Sequence, residues 1–323
     1  MQIDYLEKLK KTVLVGTEFT FRQNSTEFEF GKKDEDKIKK IISSYISNWR
    51  NELNPLKGQK MIYDEFQMEV TSVGGSFPVK VEVNFSGEAI KSCSVDGKDS
   101  FTWWFQINVD SGCIELQTMP LTYNCFKVLT KAMDFLIFNI ALKKLNLIAD
   151  KDVDAGGGGH ISLDAKTTFN NDPMLFWNFI VKYSRLSLQT TSYMAKCRDK
   201  FNASFFQELY KAKGSNAYDV LKSYKPAKDI DSIVKEINRI YMNHTLLLNE
   251  KGELVEKKGI DSSFEHYQAI NLEHMFDITE TERRIEMRRF NAQENIKELL
   301  SDLDNLYGTL KEAHELTTYD KLS

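Results

Sequence analysis

Proline is scarce in this chain of 323 residues. There are 5, and no Gly/Ser-rich or repetitive stretch accompanies them, so the sequence offers no linker at which to divide it. Cysteine is equally sparse. Cys93, Cys113, Cys125 and Cys197 are widely scattered with no CxxC pair, which leaves no basis for a disulfide framework or a zinc knuckle and reads as reduced, core-type thiols. Long apolar runs are missing too. The longest, Ala132 to Leu142, falls well short of the roughly 20 residues that a membrane span needs. Met1 to Thr12 alternates charged and apolar residues and lacks the apolar core of a secretory leader. Nor is there an excess of charge of one sign. Lys and Arg total 43 against 47 for Asp and Glu, a net −4, so no general attraction to nucleic acid or anionic lipid is available. An anionic ligand would have to be held by a local cluster of basic side chains. The expectation is a soluble, cytoplasmic protein with neither nucleic acid nor membrane as partner.

What is present is enough apolar residue, 41% of the chain, to fill a sizeable core. Val13, Val15, Phe19 and Phe21 alternate with polar residues, and Phe28 and Phe30 follow a polar turn, which predicts a hairpin. After Asp34 the spacing of Ile38, Ile41, Ile42, Tyr45, Ile46 and Trp49 predicts an amphipathic helix. Strands are expected over Phe66–Val70, Val79–Phe85, Phe101–Val109 and Cys113–Thr118, the last two joined through Asp110-Ser111-Gly112. Helices are expected over Tyr123–Leu145, after Asp172-Pro173, over Phe201–Lys213 and over Ile230–Met242. Strands return at Gln268–Leu272 and Arg283–Phe290, and a charged helix at about 293–316 closes the chain. Strands early, helices in the middle and strands late give an α+β arrangement. It is read as one domain over 1–323, with an antiparallel sheet, helices packed on one side and a helical insertion at about 170–264.

Four segments pair a possible metal ligand with a strand or a glycine turn. In Gly16-Thr17-Glu18-Phe19-Thr20-Phe21, period two sets Glu18 and Thr20 against Phe19 and Phe21. In Phe105–Pro120, Glu115 and Gln117 share a face across a tight turn from Asn108 and Asp110. Taken alone, each reads first as the polar side of a half-exposed sheet. The run Asp154-Ala155-Gly156-Gly157-Gly158-Gly159-His160-Ile161-Ser162-Leu163-Asp164 holds four consecutive glycines, costly in backbone entropy. They can bring main-chain N–H groups against phosphate or serve as a hinge, and the following strand puts His160, Ser162 and Asp164 on one face. In Arg283–Phe290 a strand projects Arg284, Glu286 and Arg288 together, with Ile285 and Met287 opposite. Such a charge set fits either a metal-bound polyphosphate gripped by guanidinium forks or a solvated salt-bridge ladder. Taken together, Glu18, Glu115, His160 and Glu286 are a carboxylate-rich donor set that suits Mg²⁺ or Mn²⁺ better than zinc.

The ordered set Gly-x-Glu, Asp-Ser…Glu-x-x-x-x-Pro, Gly-Gly-x-His and Arg-Ile-Glu-x-Arg resembles the carboxylate–amine ligase superfamily, which includes glutamine synthetase and glutamate–cysteine ligase, and within it the amidoligase branch. Asn271-Leu272 is similar to an Asn-Leu strand of that branch. The resemblance implies a curved antiparallel sheet forming a half-barrel funnel of the glutamine synthetase kind, ATP with Mg²⁺ or Mn²⁺ as cofactors, and an amide bond formed between a carboxylate donor and an amine acceptor through an acyl-phosphate. It implies metal-ligand roles for Glu18, His160 and Glu286, with Glu115 on a companion metal. Gly157, Gly158 and Gly159 with Arg283, Arg284 and Arg288 would meet the nucleotide phosphates, and Arg288 the γ-phosphate. Asp110 and Asp164 are the candidate bases. Two positions depart from the pattern: Thr20 stands where the first strand has a second acid, and Gln117 follows Glu115. These thin the companion site, so a catalytically silent scaffold of the same fold stands as the alternative. A guanidino-type phosphotransferase ranks below it, because the chain lacks that branch's cysteine region.

Overall fold

The computed structural model describes residues 5–23, 35–75, 78–93, 97–110, 113–150, 158–189, 225–243, 245–248, 254–257, 270–276 and 282–320. In chain order the described elements begin with α1 (Tyr5–Thr12), β1 (Val15–Gln23), α2 (Glu35–Leu53), β2 (Lys60–Ile62), β3 (Gln67–Gly74), β4 (Val79–Ser86), β5 (Ser100–Asp110) and β6 (Cys113–Thr118). They continue with α3 (Tyr123–Val128), α4 (Thr130–Met133), a π-helical segment (Asp134–Lys144), β7 (Leu147–Ala149), β8 (Gly159–Asp164), α5 (Ala165–Phe169) and α6 (Pro173–Gln189). Last come α7 (Ile230–Asn243), β9 (Thr245–Leu248), β10 (Leu254–Lys257), β11 (Ile270–Asn271), β12 (Arg284–Phe290) and α8 (Ile296–His314). The second hairpin strand expected at Phe28 and Phe30, the helix expected at Phe201–Lys213 and most of the expected insertion fall outside the described residues.

The main sheet runs β11-β12-β8-β1-β6-β5-β4-β3-β2, with β7 also on β1, and β9 and β10 form a separate pair. The pairings β1 with β6, β5 with β6, β4 with β5, β3 with β4, β2 with β3, β1 with β7 and β11 with β12 are antiparallel. The order has two ends and the sheet is open, so the α+β expectation of an antiparallel sheet with helices is met.

The chain divides into two compact units. One comprises Lys10–Ile161 with Phe290–Leu303. Here period-two alternation buries Phe19 and Phe21 of β1, Ile114 and Leu116 of β6 and Phe105 and Ile107 of β5. Phe19 meets Phe138 of the π segment edge-on at 5.1 Å, and Phe21 meets Trp49 of α2 at 5.6 Å. Two helical segments therefore cover this face, and side chains of opposite parity are left for chemistry. Within the same unit, the backbone N–H of Ile296 at the start of α8 donates to Asp134, and Asn295 and Glu298 form a reciprocal cap.

The other unit comprises Met1–Leu9, Ser162–Arg289 and Asp304–Ser323. Its core is aromatic: Phe169 of α5 packs on Phe176 and Phe179 of α6, and Phe179 on Tyr183. Trp177 and Asn178 donate to the carbonyls of Asp320 and Thr318, which ties α6 to the segment after α8.

The expected helix Tyr123–Leu145 is broken. It pauses at Leu129 and widens at Asp134 into a π segment, where the Leu145 N–H reaches back five residues to the Ile140 carbonyl. The run is apolar on nearly every side, so its periodicity could not locate the change. No helix among the described residues is long and apolar enough to cross a membrane.

Candidate metal centre

Glu18 of β1 lies on the side opposite Phe19 and Phe21, and its partner residue on β6 is Gln117. His160 is the second residue of β8 and is buried. Nδ1 of His160 lies 2.5 Å from Oε1 of Glu18. At that separation an imidazole and a carboxylate either share a proton or turn their lone pairs to one cation.

Glu286 of β12 is buried and held from both ends of its carboxylate. Arg288 donates to Oε1 at 2.7 Å, and Asn271 of β11 donates to Oε2 at 2.9 Å. Asn271 and Glu286 are register partners, so the amide faces the carboxylate across the strand pair. Glu18 and His160 belong to the first of the two compact units and Glu286 to the other. Two carboxylates and one imidazole are an oxygen-rich set, which fits Mg²⁺ or Mn²⁺ and fits poorly a zinc site of nitrogen and sulfur donors.

The remaining sequence candidates have other partners. Glu115 stands opposite Thr20 on β1, and Gln117 donates to it while accepting from Gln106. Arg283 pairs with Asp231 at 2.8 Å, and Arg284 lies 3.0 Å from Nε2 of His274. Oδ1 of Asp164 accepts from both the N–H and the hydroxyl of Thr167, each at 2.6 Å, which makes it the N-cap of α5. Asp110 closes the β5–β6 ladder opposite Cys113.

The glycine run has a partly structural explanation. Gly157 lies outside the described residues. The Gly158 N–H donates to the Thr20 hydroxyl, which donates back to the Gly158 carbonyl, so this amide is used inside the fold rather than offered to phosphate. A Cβ on Gly159 would run into the Asn291 carbonyl oxygen and the Gln293 side chain, so close approach of the chain requires glycine there. Sequence reasoning also missed Asp150, which is almost fully buried and lies 3.3 Å from Arg22 Nε. Away from these strands, Cys93 and Cys125 are buried thiols. The hydrogen bond from Cys125 lowers the Cys93 pKa, and burial raises that of Cys125.

No protein-family model matches the chain, and no curated protein matches it. Among solved structures it is similar to the complex of the prokaryotic ubiquitin-like protein Pup with its ligase PafA, at 10% identity and a TM-score of 0.34 over 97% of this chain and 50% of that one. It is also similar to GmaS without ligand, at 11% identity and a TM-score of 0.34 over 98% of this chain and 62% of that one. The chain thus spans between half and two thirds of the length of these two structures.

Proposed function

We propose that this chain is an ATP-dependent carboxylate–amine ligase whose Glu18, His160 and Glu286 hold one divalent cation, Mg²⁺ or Mn²⁺. The observation that carries the reading is the 2.5 Å approach of Nδ1 of His160 to Oε1 of Glu18, from two strands far apart in sequence. The order of the four sequence motifs supports it. The cation, when bound, would neutralise charge on the phosphate being transferred.

The chain's own residues do the rest by positioning and electrostatics. Arg288, now 2.7 Å from Glu286, is beside the metal ligands and carries the planar fork that matches phosphate oxygens. Arg284, on the same strand, would contact the nucleotide phosphates. Arg283 is left out because Asp231 holds it, and Asp164 because it caps a helix. Asp110 remains the candidate for accepting the amine's proton. The phosphoryl group would pass to the donor carboxylate, and attack by the amine would expel phosphate. Glu115 would serve a companion metal only by giving up the hydrogen bond that Gln117 donates to it. The same feature favours a second reading, a nucleotide-binding scaffold without turnover.

The test is to incubate the protein with ATP, Mg²⁺ and pooled carboxylic acids and amines, and to follow products by mass spectrometry. A new amide with stoichiometric ADP and phosphate is expected. ATP binding without product would leave the scaffold, and a stable phosphorylated compound would favour a phosphotransferase.

A further inference from the structure

We infer that Asn271 is a positioning residue for Glu286, and that its side-chain amide sets the metal affinity of the site. The inference rests on the metal-centre reading above. Asn271 is fully buried, where an amide is tolerated only with its polar atoms satisfied. Its two ends have different partners, and these fix its orientation. The backbone N–H of Glu273 can only donate, so it must meet Oδ1, at 2.9 Å, and Nδ2 is then the end that donates to Glu286 at 2.9 Å. Arg288 grips the other carboxylate oxygen. A carboxylate held at both oxygens has its plane fixed, so its remaining lone pairs point in set directions before any cation arrives. Removing such an outer hydrogen bond from a metal ligand typically weakens binding about 10–100-fold.

Asn271 also stabilises the turn at Glu273, and two variants separate the tasks. N271S loses the donor to Glu286 but keeps an oxygen able to accept from the Glu273 N–H, whereas N271A loses both. Mn²⁺ alone is titrated into the full-length wild type and both variants by calorimetry, with a metal-free melt of each as the fold control. The expected result is an affinity loss of about 10–100-fold, similar in both variants, with the metal-free melt of N271S close to wild type. The preference for Mn²⁺ over Ca²⁺ should narrow as well, because a loosened carboxylate suits the larger, less demanding ion. Unchanged Mn²⁺ affinity in both variants would overturn the inference. A loss confined to N271A would overturn it too, by assigning the residue to the turn. If the wild type binds no divalent cation, the metal reading and this inference fall together. If the wild type binds and N271S binds equally well, only this inference falls.

Discussion

Thr20 is bonded twice to a single residue 138 positions away: its hydroxyl donates to the Gly158 carbonyl at 2.9 Å and accepts from the Gly158 N–H at 3.0 Å. The position where the resemblance expects a second acid thus clamps the end of the glycine run. T20V is nearly isosteric but leaves a buried N–H and a buried carbonyl without this partner, at about 1–3 kcal/mol for each group. T20S keeps both bonds. Urea unfolding should therefore place T20V well below wild type and T20S close to it. Equal stability of T20V and wild type would remove the clamp.

Arg288 and Glu286 form a buried pair, with side chains 8% and 9% exposed. Deleting one member of such a pair typically costs about 3–5 kcal/mol, because the other charge stays buried without it. R288A is expected to lose stability on that scale in metal-free buffer and to recover part of it with Mn²⁺, which would compensate Glu286. R288K keeps the charge without the planar fork and should lose less stability. If Arg288 meets the transferring phosphate, both variants should still lose turnover, by about 100-fold or more. Chemical denaturation with and without Mn²⁺, alongside product formation, checks both halves.

The fold was more legible than the site. Alternation in β1 was enough to set Phe19 and Phe21 against Glu18, because one buried face dictates which residues can be apolar. The helix after Asp34 and the strands of β4, β5 and β6 were visible for the same reason. The three-residue strands β2 and β7 were invisible, since alternation over so short a span carries no signal. Two long-range facts were equally hidden. Alternation says which residues of a strand share a face but nothing of the partner strand's register, so the match of Asn271 with Glu286 could not be read. The Thr20 substitution looked like a missing ligand because its Gly158 contact spans most of the chain's first half.

Asp229 offers a test by pH. It precedes α7, and its carboxylate accepts from the N–H and hydroxyl of Ser232 at 2.7 and 2.8 Å. Those two hydrogen bonds, with a smaller contribution from Lys235, hold its pKa below the usual carboxylate value. A carboxylate with a lowered folded-state pKa contributes stability above its unfolded value, and loses it as pH falls through the folded value. Wild type should therefore exceed D229A near neutrality, with the gap closing below about pH 4. D229N keeps an acceptor without the charge, so its difference from D229A should not change over that window. Thermal melts of the three proteins across pH measure this directly.

The cation reading makes the most general prediction, because it needs no substrate. The proposed site would bring the carboxylates of Glu18 and Glu286 to one cation, and like charges drawn together disfavour the folded state beyond what Arg288 offsets. A cation that binds only the native chain stabilises it by mass action, by about 2.7 kcal/mol at a hundredfold excess over Kd. Mg²⁺ or Mn²⁺ should raise the melting temperature by a few degrees, and EDTA should reverse the rise. E18Q reduces the negative charge of the group and removes one anionic ligand. Its metal-free melt should equal or exceed that of wild type, while its metal-dependent shift should largely disappear. A structural role for Glu18 predicts the reverse, a lower metal-free melt with the shift retained. No shift in wild type, or an equal shift in E18Q, would end the reading of this cluster as a metal centre.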